Sequence, residues 1–249
     1  MSLPVFLAAE AARAEVGDSL VLGEDVAGHA VRVRRLSPGE ELDLVDGEGA
    51  RARARIAAAS AHELSVEVTA VTRTPPSTPA LVLVQALAKG DRDLQAIEQA
   101  TEIGVDEVVP WAAERSIADW PEKKRDKMAT KWENLLRAAS LQARRSRFPI
   151  LHGLVRGTRL LAVLTETDRI FVLHESAGTR LSEAVADVRD GQSGRVVLVV
   201  GPEGGISEAE LAALSAVGAT PVLLGPTILR SSSAGPAGLV MAQCALGRW

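Results

Sequence analysis

The chain has 249 residues, 47% of them hydrophobic and 24% charged, with a net charge of −4. That is the composition of an ordinary globular protein able to bury one large core or two smaller ones. There is no run of about 18 apolar residues and no basic segment leading into an apolar one, so neither a membrane span nor a secretory leader is expected, and the expected location is the cytoplasm. The single cysteine, Cys244, excludes an internal disulfide and a cysteine zinc set. Lying in an apolar run, it reads as a core residue. His29, His62 and His152 show no ligand spacing, so no metal is expected.

The N-terminal part has the texture of strands. ELDLVDGEGARARARI alternates apolar or small residues with polar ones around Asp46, Gly47, Glu48 and Gly49, a hairpin pattern, and HELSVEVTAV follows as another alternating strand. Residues 1–72 are expected to form a small antiparallel β-barrel. Three prolines in TRTPPSTP, Thr72 to Pro79, suit neither helix nor central strand, so residues 73–79 read as a linker.

From residue 80 to 249 the period changes. ALVLVQAL is a continuous apolar strand, DLQAIEQATEIG an amphipathic helix ended by Gly104, and DEVVPWAA a short strand; a long helix is expected from about Pro121 to Arg145. RIFVLHE, RVVLVV and TPVLLG read as further strands. Ser207 with Glu210 three residues later reads as a capping box opening a helix, and a final helix is expected to start near Ser233. Strands buried on both faces and alternating with helices imply an α/β fold with a parallel sheet.

Charge is unevenly distributed. From Met1 to Thr72 seven arginines face twelve carboxylates, a balance of −5, whereas Lys123 to Arg147 carries nine basic residues against Asp126 and Glu133, a balance of +7. Arg144, Arg145 and Arg147 are expected to fan out from the helix exit, and arginine forks suit phosphate. Arg51, Arg53 and Arg55 alternate along one strand and would give the acidic first domain a positive face. The alternatives are a solvated helix face for the first cluster and protection of an edge strand for the second. Aromatics are scarce, so stacking platforms for single-stranded RNA are not evident.

Two glycine-rich loops carry the chemistry. In RVVLVVGPEGGISEAEL an apolar strand gives way to Gly201, Pro202, Glu203, Gly204 and Gly205 and then to a helix, and such a turn lets a ligand lie against bare backbone. A buried strand with a simple turn is the plain alternative. The spacing is not GxxxxGK[ST], which argues against a nucleoside triphosphate; nor is it GxGxxG with a downstream acid, which disfavours a nucleotide-dependent oxidoreductase. From Leu211 to Trp249 only Arg230 and Arg248 are charged. The second loop, LLGPTILRSSSAG, is therefore suited to holding a flat heterocycle through backbone groups.

Taken together, GPEGGISEAEL and LLGPTILRSSSAG resemble the SPOUT-class RNA methyltransferases, in particular the RsmE family, which methylates N3 of a uridine in small-subunit ribosomal RNA. HAVRVRRLSPGEELDLVDGEG, KGDRDLQAIEQATEIGV, PWAAERS and KWENLLRAASLQARRSRFPIL stand in that family's order. The resemblance implies a PUA-like first domain that positions RNA, a SPOUT domain with a trefoil knot, and S-adenosylmethionine as cofactor. It further implies a homodimer and the small ribosomal subunit as partner. The expected cofactor-binding residues are Leu173, His174, Glu175, Gly201, Glu203, Gly204, Gly205, Leu224, Gly225, Ile228, Leu229 and Ser233. Arg51, Arg53, Arg144, Arg145 and Arg147 are expected to bind RNA, and Arg230 to support the uracil anion. The family commonly continues ILR with threonine, glutamate and threonine; Ser231, Ser232 and Ser233 stand there instead, so no carboxylate role carries over to position 232. A non-catalytic RNA-binding protein on the same fold is the alternative this departure leaves open.

Overall fold

The computed structural model describes residues 3–189 and 194–249. Two compact units divide the chain, one of Met1–Pro76 with Ser140–Phe148, the other of Ser77–Ala139 with Pro149–Trp249.

The first unit is a five-stranded sheet: β1 (Val5–Leu7), β2 (Ser19–Leu22), β3 (Glu41–Val45), β4 (Ala50–Ala59) and β5 (Leu64–Arg73), ordered β1-β3-β4-β5-β2. A short helix, α1 (Glu24–Gly28), follows β2. All pairs are antiparallel except β1 with β3. Period-2 alternation in β4 sends Ala52, Ala54 and Ile56 into a core with Phe6, Leu22, Leu42, Leu44, Leu64 and Val66. The expected hairpin forms because Asp46 Oδ1 accepts the N–H groups of Glu48 (2.7 Å) and Ala50 (2.9 Å), while Gly47 and Gly49 take positive φ.

The positive strand face expected from Arg51, Arg53 and Arg55 is instead a ladder of ion pairs. In register across β3, Asp43 accepts from Arg51 (2.8 Å) and Arg53 (3.2 Å), and Glu41 from Arg55 (3.3 Å). Opposite charges that face each other on one side of a sheet attract, and here two carboxylates offset most of the charge of three arginines.

Ser140–Phe148 joins this unit by main-chain bonds. Gly49 N–H donates to Ser146 O (2.9 Å) and Phe148 N–H to Gly47 O (2.8 Å), and a Cβ on Gly47 would lie 3.2 Å from the Phe148 ring. The arginines therefore do not fan out from a helix end. The helix stops at Gln142, and Arg144 is left-handed at φ 56°. Arg145 Nε donates to Arg147 O (3.0 Å) and Arg147 Nη2 to Thr74 O (3.0 Å). Arg144 keeps an exposed side chain, while its carbonyl accepts from Arg51.

The second unit is a parallel α/β layer. Its elements are β6 (Ala80–Ala86), α2 (Arg92–Ile103), β7 (Glu107–Ala112), α3 (Arg125–Gln142), β8 (Ile150–Leu151), β9 (Val155–Arg156), β10 (Arg169–Leu173), α4 (Leu181–Ala184), β11 (Arg195–Val200), α5 (Glu208–Ala216), β12 (Thr220–Val222) and α6 (Ser231–Ala245). The strand order is β12-β10-β11-β6-β7-β8, with β9 also on β7, and every pair is parallel. The continuous apolar runs of β6 and β11 follow from burial on both faces: Leu81, Leu83, Val196 and Leu198 enter one core, and Val82, Val84, Val197 and Val199 the other. Gly104 ends α2 at φ 113°. The short β8 and β9 and the 3-10 turn Gly157–Val163 have no clear sequence period.

After β12, at one edge of the sheet, the chain returns as α6, which packs across the middle strands. A Cβ on Gly235 would lie 2.9 Å from Leu83 of β6, and one on Gly238 3.1 Å from Leu198 of β11. α6 begins at Ser231, two residues before the expected start, and buries a stripe through Ala234, Gly238, Leu239 and Ala242. Cys244 lies off that stripe and is exposed, contrary to the core position expected of it. Much of the apolar character of the C-terminal segment is thus accounted for within this unit. No described helix is long and apolar enough to cross a membrane.

Candidate active site at the carboxyl rim of the parallel sheet

In an open parallel sheet, ligands gather beyond the carboxyl ends of the strands. Here β10 ends at Leu173 and is followed by His174 and Glu175, β11 by the GPEGG turn, and β12 by the 223–230 loop. Together with the start of α6 they enclose a cleft of about 680 Å³, and an adjoining slot of about 220 Å³ is lined by Leu173, Leu224, Gly225, Ile228 and Leu229 among others.

The two loops are rooted by backbone bonds. His174 N–H donates to Val222 O (2.9 Å), Leu223 N–H to Thr179 O (2.8 Å) and Leu181 N–H to Leu223 O (2.9 Å). Gly205 N–H closes the GPEGG turn on Pro202 O (2.9 Å). The glycines serve different ends. A Cβ on Gly201 would meet Ile206 Cγ1 at 2.7 Å and one on Gly204 would meet Arg115 O at 2.9 Å, whereas Gly205 has open space and needs glycine for its φ of 74°. The capping box forms as expected, Ser207 Oγ accepting from Glu210 N–H (3.2 Å) and Glu210 Oε2 from Ser207 N–H (3.1 Å).

Most of the predicted side chains converge. Leu173, His174, Glu175, Gly201, Glu203, Gly204, Gly205, Ile228, Leu229 and Arg230 line the cleft, and Leu224 and Gly225 line the slot. Ser233 does not line it; Ser231 does, because the helix starts two residues early and turns Ser233 outward to solvent. Ser231 Oγ is buried and has no hydrogen-bond partner among the described residues. Glu203 forms an ion pair with Arg92 (2.9 Å), which ties the turn to the start of α2. His174 Nδ1 is engaged by Ser176, whose hydroxyl lies 2.9 Å away.

Arg92 and Arg115 also line the cleft and were missed in the sequence. The available signal was position: each follows a strand of the sheet, β6 and β7, at the rim where ligands collect.

Fold and site define an open parallel α/β protein with a backbone-lined ligand cleft at its carboxyl rim. A family described as RNA methyltransferase domain matches residues 75–243, and one described as RNA methyltransferase PUA domain matches residues 22–69. A Mycobacterium bovis protein named ribosomal RNA small subunit methyltransferase E is 39% identical over 94% of this chain and 90% of its own length. The crystal structure of a Neisseria gonorrhoeae protein of that name, bound to S-adenosyl methionine, superposes with a TM-score of 0.85 at 26% identity, covering 98% of both chains. A Legionella pneumophila methyltransferase with bound cofactor SAM gives 0.82 at 26% identity, again covering 98% of both. The chain belongs to the ribosomal RNA small subunit methyltransferase E family.

Proposed function

We propose that this protein methylates N3 of a uridine in small-subunit ribosomal RNA, with S-adenosylmethionine as methyl donor. The observation that carries the reading is the rim itself: two backbone-lined loops meet over an apolar slot, next to a buried hydroxyl without a partner.

The residues fit that cofactor. Leu173, Leu224, Ile228 and Leu229 offer apolar walls to a flat heterocycle, backbone groups of Glu175 and of residues 224–229 offer hydrogen bonds to its edge, and the Gly201–Gly205 turn offers close approach. When bound, S-adenosylmethionine supplies an electrophilic methyl group on a sulfonium. The chain's own part is positioning, exclusion of water and help with the N3 proton. Arg230 is exposed at the cleft and has no ion pair with any described residue. In this reading it supports the uracil anion as the N3 proton leaves. The uridine must be unpaired or flipped out for N3 to be reached, at a cost of a few kcal/mol.

The proposal includes a trefoil knot formed by the segment through α6, and a homodimer. Exposed Ile228 (81%) and Trp249 (62%) support a second copy as partner. A cytoplasmic location follows from the ribosomal substrate. The proposed RNA contacts of the first unit are Arg144 with Arg51, Arg53, Arg145 and Arg147; among these Arg144 is the one with an exposed side chain and no ion pair among the described residues.

Mapping methylated positions in ribosomal RNA from cells with and without this protein tests the reading. Loss of one N3-methyluridine on deletion is expected; an unchanged map overturns it. Sedimentation at micromolar concentration should find a dimer.

A further inference from the structure

The loop after β7 bears an unclaimed cation at the cleft. Arg115 is exposed, lines the cleft, and has no ion-pair or hydrogen-bond partner among the described residues. Of the other lining arginines, Arg92 is committed to Glu203, and Arg230 belongs to the second loop. Glu175 and Glu208 line the mouth too, so the site is a local fork among mixed charges and not a basic field.

What distinguishes Arg115 is how firmly its backbone is held. Glu210 is buried, and its carboxylate spans two segments: Oε2 accepts Ser207 N–H, while Oε1 accepts Glu114 N–H at 2.8 Å. The capping carboxylate of α5 therefore also anchors the residue before Arg115. On the other side, Gly204 lies so close that a Cβ there would be 2.9 Å from Arg115 O and 3.1 Å from Arg115 Cβ. The guanidinium thus projects from a backbone fixed against the glycine turn. Independently, the buried, unpartnered Ser231 Oγ marks the same cleft as one that a ligand completes.

We infer that Arg115 is a substrate-contact residue that takes an RNA backbone phosphate beside the target base, and that Glu210 is the residue that positions it. This rests on the methyltransferase reading above. A planar fork held on a fixed backbone suits a phosphate, which accepts two parallel N–H bonds.

The test uses the full chain, S-adenosylmethionine and small ribosomal subunits lacking the modification. Arg115→Ala should raise KM for the subunits about tenfold or more, with kcat little changed and cofactor affinity by calorimetry unchanged. It should also flatten the slope of log affinity against log salt by about 0.7 to 0.9. Arg115→Lys should restore the salt slope but not the full KM. Glu210→Gln, which leaves one acceptor for two N–H donors, should shift KM in the same direction and add little in the Arg115→Ala background. Loss of cofactor affinity in Arg115→Ala would assign the residue to the cofactor's carboxylate and overturn the inference, as would an unchanged KM and slope. Additive effects of the two changes would remove the positioning role of Glu210. A wild-type protein that transfers no methyl group sinks the functional reading and this one together, whereas an active wild type with an unaffected Arg115→Ala sinks this one alone.

Discussion

The amino and carboxyl rims of the parallel sheet are made by the same strands and hold opposite kinds of polar group. At the amino rim Arg195 opens β11 and grips Asp168 with Nε (3.0 Å) and Nη2 (2.7 Å), while its Nη1 reaches Glu107 (3.1 Å), which is also 2.8 Å from His152 Nε2. These four side chains partner one another. At the carboxyl rim three arginines and three glutamates line the cleft and Arg92 pairs with Glu203, but Arg115 and Arg230 have no ion pair among the described residues, the turns are glycine, and the Ser231 hydroxyl has no hydrogen bond among those residues. Side chains that satisfy one another make a rim structural. Backbone and hydroxyl groups left open make it receptive.

Removing Arg195 should produce the largest effect. The Asp168 side chain is 1% exposed, so Arg195→Ala leaves its carboxylate without its cation and should destabilise the fold by about 3–5 kcal/mol. Denaturant unfolding measures this, and cofactor affinity of the folded fraction should stay unchanged. If affinity falls in step with stability, the two rims are not independent.

At the other rim, Gly204→Val drives a side chain into Arg115 O and Gly201→Val one into Ile206. Overpacking of this kind costs about 1–3 kcal/mol, and here it should appear as roughly a tenfold or greater loss of S-adenosylmethionine affinity by calorimetry, with a smaller change in Tm. Gly205→Val has room for its side chain and should act through backbone strain at φ 74°. Wild-type affinity in the Gly204 and Gly201 variants would remove the turn from the site.

Acid should loosen the amino rim first. The hydrogen bond from His152 lowers the Glu107 carboxyl and outweighs the opposing effect of burial, with Arg195 adding to it. Burial pushes Asp168 up, but bonds from Arg195 and Thr165 overcome this and hold it below its ordinary value. Both groups are thus lower in the folded than in the unfolded chain. Their stabilisation is full above the ordinary carboxylate range of about 4 and is lost as pH falls through the depressed folded values. Asp93 runs the other way: burial raises it despite N–H bonds from Ala88 and Leu94, so it regains stability as pH falls. Tm measured from pH 6 downward should decline in the wild type, more steeply in Asp93→Asn, and less in Glu107→Gln.

The smallest effect separates two arginines of the first unit. Arg144→Gln should leave Tm unchanged and flatten the salt dependence of RNA binding by about 0.7 to 0.9. Arg147→Gln should lower Tm by a few degrees, because it loses a bond to Thr74 O. Equal Tm values would show that the Arg147 bond contributes nothing.

Local chemistry written in consecutive residues is legible in the sequence itself. The Asp46–Gly49 hairpin, the apolar strands β6 and β11, the Ser207–Glu210 capping box and the Gly104 stop each depend on neighbours within a few positions, where periodicity and φ preference act. The two glycine loops could likewise be named as a site, since turn residues after a buried strand advertise themselves. Pairings between distant residues could not be read. Nothing in ARARARI says that Asp43 and Glu41 will stand opposite its arginines, because register is set by the hairpin and the core face together. Nor does the sequence show that Arg147 bonds Thr74, or that the Glu210 carboxylate reaches Glu114 N–H. The positions of Cys244 and Ser233 depended on where α6 begins, and a shift of two residues turns a helical side chain by more than half a circle. Residue order determined the elements and the kind of chemistry at their ends. Which charges are cancelled, and which of them remain open to a ligand, was decided by tertiary packing, because a charge takes its partner from whatever the fold brings within about 3 Å of it.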